Sequence, residues 1–175
     1  MPDTDTPLTA DDIMRPVDPA DQQLLEYTLP AVDFELLHDM AGPIEYATKG
    51  SACVDLRACF ERCCMTVMPG STALIPSGVK VAIPEGYVGL LFIRSGVSVK
   101  RGLRLVNGVG VIDSDYRGEV HIPVTSEAVN GTYLEQGERI AQLGFFPVHQ
   151  LPVRIVDSLP ETERGDGGIG STGNT

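Results

Sequence analysis

Thr72-Ala73-Leu74-Ile75-Pro76-Ser77-Gly78-Val79-Lys80-Val81-Ala82-Ile83-Pro84-Glu85-Gly86-Tyr87-Val88-Gly89-Leu90-Leu91-Phe92-Ile93 decides the fold. Thr72 to Ile75, Gly78 to Ile83 and Tyr87 to Ile93 are short apolar or β-branched runs, with Pro-Ser-Gly and Pro-Glu-Gly between them as turns. The pattern continues on both sides. Cys64 to Met68 precedes it, and Leu103 to Val106, Glu119 to Val124, Arg139 to Val148 and Val153 to Asp157 follow. Strands at such regular spacing predict an all-β sandwich or jelly roll. Only Val97 to Arg101 reads as a short helical turn, and no repeat of solenoid or propeller period is present.

At 175 residues the chain is one domain's worth, and its 19 glycines and 13 prolines suit many short strands joined by tight turns. No apolar run approaches membrane-spanning length, and Met1-Pro2-Asp3-Thr4-Asp5 lacks the basic start of a signal peptide, so a soluble cytoplasmic protein is expected. Residues 1–40 hold ten acids against Arg15 alone, which accounts for most of the net charge of −11. Five prolines also fall in the first 30 residues, so residues 1–32 are expected to form a flexible acidic extension, with at most a turn or two of helix near Asp21 to Tyr27. The extension reads as a solubilising leader or as a site for an unknown basic partner. The acidic balance argues against nucleic-acid binding, which needs a basic face. Residues 33–159 make the β domain.

The last segment, 160–175, changes character again. Five of the nine residues from Gly165 to Gly173 are glycine. Such backbone presents N–H donors to an anion, and Arg164 adds a guanidinium suited to phosphate oxygens, so the segment reads as a flexible lid. The four cysteines, Cys53, Cys59, Cys63 and Cys64, fall within twelve residues but form no paired Cys-x-x-Cys knuckles. His38, His121 and His149 are scattered. Small buried or half-buried thiols are therefore expected rather than zinc or disulfides.

Chemistry concentrates in Gly110-Val111-Ile112-Asp113-Ser114-Asp115-Tyr116-Arg117-Gly118-Glu119. Val109 to Ile112 and Val120 to Val124 read as the two strands of a hairpin whose polar turn carries two carboxylates and an aromatic ring. Four further segments accompany it: Ser51-Ala52-Cys53-Val54-Asp55-Leu56-Arg57-Ala58, Arg94-Ser95-Gly96, Gly137-Glu138-Arg139-Ile140-Ala141-Gln142 and Arg164-Gly165-Asp166-Gly167-Gly168-Ile169-Gly170-Ser171-Thr172-Gly173. In this order, from about Tyr46 to Gly173, they resemble the five motifs of the trimeric deoxyuridine triphosphate nucleotidohydrolases, the dUTPases.

The resemblance implies a distorted jelly-roll β-barrel, a homotrimer with shared active sites, and Mg²⁺-assisted hydrolysis of dUTP to dUMP and pyrophosphate. That reaction limits uracil in DNA and supplies dUMP for thymidylate synthesis. By the same resemblance, Asp113 is the general base for water attack on the α-phosphorus, and Asp55 binds Mg²⁺ through water. Asn107 and the backbone of Gly110, Val111 and Ile112 would read uracil, with Tyr116 packed on the deoxyribose and His121 near the same pocket. Arg94, Ser95, Gly96, Gln142, Arg164, Ser171 and Thr172 would hold the phosphates, with Gly168, Ile169 and Gly170 in the lid over the base. Cys53, Ile93 and Val106 stand where the family has glycine, proline and glycine, and Ile169 replaces the lid's aromatic ring. Two alternatives are a dCTP deaminase relative, which shares the fold without all five motifs, and a nucleotide-binding regulator of the same fold with weak turnover.

Overall fold

Among the described residues ten strands follow one another, with a 3-10 turn at Asp39–Ala41 and one short α-helix between them. They are β1 Asp33–Leu36, β2 Val54–Arg57, β3 Cys64–Val67, β4 Ala73–Ala82, β5 Tyr87–Ile93, β6 Leu103–Leu105, β7 Gly110–Ile112, β8 Glu119–Ser126, β9 Thr132–Glu135 and β10 Arg139–Pro147, with α1 at Ser95–Arg101. This is a computed structural model, and it describes residues 29–168. The strands make a four-stranded sheet in the order β1-β4-β8-β6, a second in the order β2-β10-β5-β7, and a two-stranded β3-β9 ribbon. Every pairing between these strands is antiparallel.

Alternation sets which side chains go inside. Along β8, Val120, Ile122 and Val124 are buried while Glu119, His121 and Pro123 face outward, as the two-residue period of a strand requires. These meet Leu56, Leu91, Ile140 and Leu143 of the second sheet in one continuous core. Each such side chain contributes roughly 1.5–3 kcal/mol by leaving water. The protein is thus an all-β jelly roll, as the strand spacing predicts.

Two of the expected breaks fall elsewhere. Pro76-Ser77-Gly78 is not a turn: β4 runs through it, and the register against β8 passes from Pro76↔His121 to Lys80↔Glu119. Two extra residues on β4 are absorbed as a bulge, anchored by Glu119 Oε1, which accepts from the Gly78 N–H at 2.8 Å. Gly78 has φ +70° and lies so close to Cys59 and Ala41 that a Cβ would come within 3.0 Å of both. The segment Val109 to Val124 is likewise no hairpin. β7 pairs with β5 in one sheet and β8 with β4 and β6 in the other, so residues 113–118 are a crossover between sheets.

The run Val153 to Asp157 forms no strand, since no neighbour offers it hydrogen bonds. Val153 and Ile155 are 93% and 99% exposed. α1 is slightly longer than expected and ends at Gly102, whose φ of +70° lets its N–H bond Ser98 O, with Lys100 and Arg101 in the last turn.

Candidate active site

The second sheet carries Asp55 and Gln142 on its strands and Arg94 and Asp113 just beyond its strand ends, and these fall in two separate clefts. The first, of about 670 Å³, is lined by Cys53, Asp55, Arg94, Ser95, Gly96, Arg139 and Gln142 among others. Asp55 on β2 lies opposite Gln142 on β10, and Arg94 to Gly96 enter from the junction of β5 and α1. Both oxygens of Asp55 are occupied by arginines. Arg94 Nε stands 2.9 Å from Oδ1 in an ion pair, and Arg139 Nη1 donates to Oδ2 at 3.1 Å. Arg94 Nη1 also donates to Arg139 O at 3.2 Å, tying the two arginines together. On the same wall Arg101 pairs with Glu138.

Arg139 is a site residue that the sequence reading leaves unassigned, and a bulge explains why. Arg139 pairs with Arg57 and Ala141 with Leu56, so one extra residue, Ile140, sits on β10. Ile140 and Ala141 are consecutive and both fully buried. The slip brings Arg139 onto the face of Asp55, where unbroken alternation would have sent it to the other side. The only sign in the sequence is the pair of adjacent apolar residues after Arg139.

Asp113 lines the second cleft, of about 1070 Å³, together with Val111, Ser114, Asp115, Arg117, Tyr87, Val88 and His149. Gly110 and Ile112 place it, through pairs Leu91↔Gly110 and Gly89↔Ile112. A Cβ on Gly110 would stand 3.0 Å from Leu91 Cβ, so glycine lets β7 pack close against β5 here. The crossover is held by its own backbone: Tyr116 N–H donates to Asp113 O at 3.1 Å, and Arg117 Nη1 to Ser114 O at 2.7 Å. The Tyr116 hydroxyl donates to Glu119 O at 3.0 Å. Its ring lies directly over Gly118, where a Cβ would meet Oη at 2.4 Å.

Asn107 sits exposed in the turn after β6, its carbonyl accepting from Val109 N–H at 2.8 Å. His121 is on the outward face of β8, its Nδ1 3.0 Å from Glu119 O, and it does not join Asp113 in the second cleft. Arg164 Nε donates to Gly167 O at 3.0 Å within a turn, and Gly168 is exposed. Ile169, Gly170, Ser171 and Thr172 lie outside the described residues, as does the acidic stretch 1–28.

Asp113 follows β7 next to the Val88 end of β5, whereas Arg94 follows the other end. Six residues of extended chain separate them, about 20 Å at 3.3 Å per residue. A base must sit within hydrogen-bond reach of the water it activates. Within one chain Asp113 and Arg94 therefore line separate clefts. Among the described residues no three Asp, Glu, His or Cys side chains cluster as a metal cage, and no helix is long and apolar enough to cross a membrane.

Fold and site together define a class: a β jelly roll with an arginine-bound carboxylate cleft and a remote loop carboxylate. A family model described as dUTPase matches residues 40–173. The chain belongs to the dUTPase family. A deoxyuridine 5'-triphosphate nucleotidohydrolase of Desulfitobacterium hafniense is 46% identical over 130 residues, covering 74% of this chain and 85% of its own. Among solved structures, Staphylococcus bacteriophage 80alpha dUTPase with dUPNHPP superposes at a TM-score of 0.72 and 29% identity, over 83% of this chain and 99% of its own. A dUTPase mutant from phage phi11 of S. aureus, described with a structural Mg(II) ion, matches at 0.64 and 26%, over 74% of this chain and 98% of its own.

Proposed function

We propose that this chain is a dUTP diphosphatase, hydrolysing dUTP to dUMP and pyrophosphate with Mg²⁺ as one subunit of a homotrimer with shared active sites. The observation that carries the reading is the roughly 20 Å between Asp113 and Arg94 along β5. Asp113 of one subunit would face the arginine cleft of a second, and residues 160–175 of a third would close over both. The exposed apolar side chains Leu151, Val153, Ile155 and Leu159 support this, because a segment of that composition leaves water by lying on a neighbour. The leader is assigned to 1–32 and the catalytic domain to 33–159. A cytoplasmic location is part of the reading, since the substrate is a free nucleotide.

In this assembly Arg94, the Ser95 hydroxyl, the Gly96 backbone and Gln142 would bind the phosphate chain, joined by Arg164, Ser171 and Thr172. Asn107 and the backbone of Gly110, Val111 and Ile112 would read the uracil edge, and Tyr116 would pack on the sugar. Asp113 would take the proton of the water that attacks the α-phosphorus, mainly a positioning task once cations carry the developing charge. Bound with the triphosphate, Mg²⁺ supplies part of that charge. The donor set fits it: one carboxylate rather than a cage suits an ion that keeps its waters. Asp55 Oδ2 accepts from Arg139 and Oδ1 is ion-paired with Arg94, and the lone pairs left over would accept from such a water.

Release of pyrophosphate from dUTP, without ammonia from dCTP, tests the reaction. Mixing tests the assembly. Asp113→Asn and Arg94→Ala chains, each inactive alone, should recover turnover when refolded together, because about a quarter of the shared sites would draw both intact residues from different chains. No recovery in assembled mixtures would place the whole site in one subunit.

A further inference from the structure

The four cysteines sort into two kinds. Cys59 is buried at the Gly78 bulge, and burial followed by the nearby Glu119 charge pushes its thiol up to about 11. Cys53 is half-buried and raised by burial and by Asp55. Neither is a ready nucleophile. Cys63 is exposed and Cys64 half-exposed at the start of β3, and their sulfurs stand 3.4 Å apart. Such closeness of adjacent side chains is not the habit of a strand, where neighbours point to opposite faces. It arises because Cys63 still belongs to the bend before β3, held by Gln136 N–H donating to Cys63 O at 3.0 Å.

The surroundings favour one thiolate. Cys64 lies opposite Glu135, and Tyr133 opposite Thr66, so Cys64 and Tyr133 are diagonal neighbours on the outer face of the ribbon. Hydrogen bonding from Tyr133, then from Cys63, holds the Cys64 thiol below its ordinary value, and the same contact pushes Tyr133 up to about 12. The pair lines neither cleft of the site described above.

We infer that Cys63 and Cys64 form a two-sulfur clamp for a thiophilic acceptor that needs only two protein ligands, of which a monosubstituted trivalent arsenical is the matching chemistry. An atom bonded about 2.3 Å from each sulfur, the length of a metal–thiolate bond, would see them at about 95° for a separation of 3.4 Å. That angle suits a three-coordinate pyramidal centre. A structural zinc site would ask for four ligands, and no third His, Cys, Asp or Glu joins the pair among the described residues. A disulfide is disfavoured for a different reason: neighbouring Cα atoms stand about 3.8 Å apart, below the usual span of a bridged pair.

The step balances without any redox change. An arsenical oxide, RAs=O, reacts with both S–H groups, two As–S bonds form, and the oxygen leaves as one water with the two thiol protons. Phenylarsine oxide added to the reduced full-length protein is expected to give one adduct by intact mass and to remove two titratable thiols. Cys63→Ser and Cys64→Ser should each weaken capture by about 10² to 10⁴, since the second bond is then no longer intramolecular. Cys53→Ser, outside the clamp, should capture as the wild type does. A small dithiol should release the adduct where an equal concentration of a monothiol does not. An adduct that survives in both serine variants, or one that consumes a single thiol, would overturn the assignment.

Discussion

The two ends of β5 carry polar groups in different ways. Beyond Ile93 the site is made of side chains: Asp55 is locked between Arg94 and Arg139, and Gln142 lies across from it. Beside Val88 it is made of backbone: Asp113 and Tyr116 sit in a crossover that bonds to itself and needs glycine at 110 and 118 for space. The first arrangement presets charge, and the second presets shape. Mutations should therefore separate them, with charge changes at the arginine end altering phosphate and metal dependence and volume changes at the loop end altering how the nucleoside fits.

The largest effect is expected at Asp113. Asp113→Asn should lower kcat by about 10² or more while dUTP still binds in the presence of Mg²⁺, because general-base catalysis is worth that much and the phosphate cleft is untouched. Near-normal turnover would remove Asp113 from the chemistry. Arg139→Ala comes next. Asp55 would keep Arg94 but lose the partner of its second oxygen, and because Asp55 meets Mg²⁺ through water the affinity should fall by less than the roughly 10- to 100-fold typical when a direct ligand loses its partner. A Mg²⁺ titration of turnover and of dUTP binding should move accordingly, with kcat at saturating Mg²⁺ much less affected. An unchanged titration would mean that the two ends do not differ in this way.

Gly118→Ala probes the other end. The new methyl group would collide with Tyr116 Oη, and relieving such overlap costs roughly 1–3 kcal/mol. A raised KM for dUTP with an unshifted Mg²⁺ titration is expected, and a shift in the Mg²⁺ titration would blur the division. Ile169→Phe should be milder and favourable. A ring stacked on the base is worth roughly 1–3 kcal/mol by truncation, so KM should fall or turnover rise by a few-fold, and steady-state kinetics with no gain would reject stacking at this position. Smallest of all, removing residues 1–28 should leave assembly and turnover unchanged by light scattering and kinetics, because no motif lies there. Loss of the oligomer would reassign that stretch.

Period-two alternation made most strands legible, because a half-buried strand must repeat its apolar residues every second position. Tyr87 to Ile93 was readable to the residue, whereas Cys63 stands exposed in the bend before β3, where a buried or half-buried thiol was expected. The expected breaks failed where glycine and proline served a bulge rather than a turn, as at Pro76-Ser77-Gly78. β9, Thr132–Glu135, escaped notice because its apolar content is one buried leucine between polar and exposed neighbours. Val153 to Asp157 showed the opposite failure: the pattern of a strand without a partner in its own chain.

By itself the sequence determined the β class and the family, since both depend on residue type, order and spacing. Only the tertiary structure decided that the Val109 to Val124 segment crosses between sheets, that a bulge at Ile140 turns Arg139 toward Asp55, and that Asp113 and Arg94 stand at opposite ends of one strand. Those outcomes depend on which strands pair and in what register, and pairing is settled by contacts between residues far apart in the chain, which local pattern does not encode.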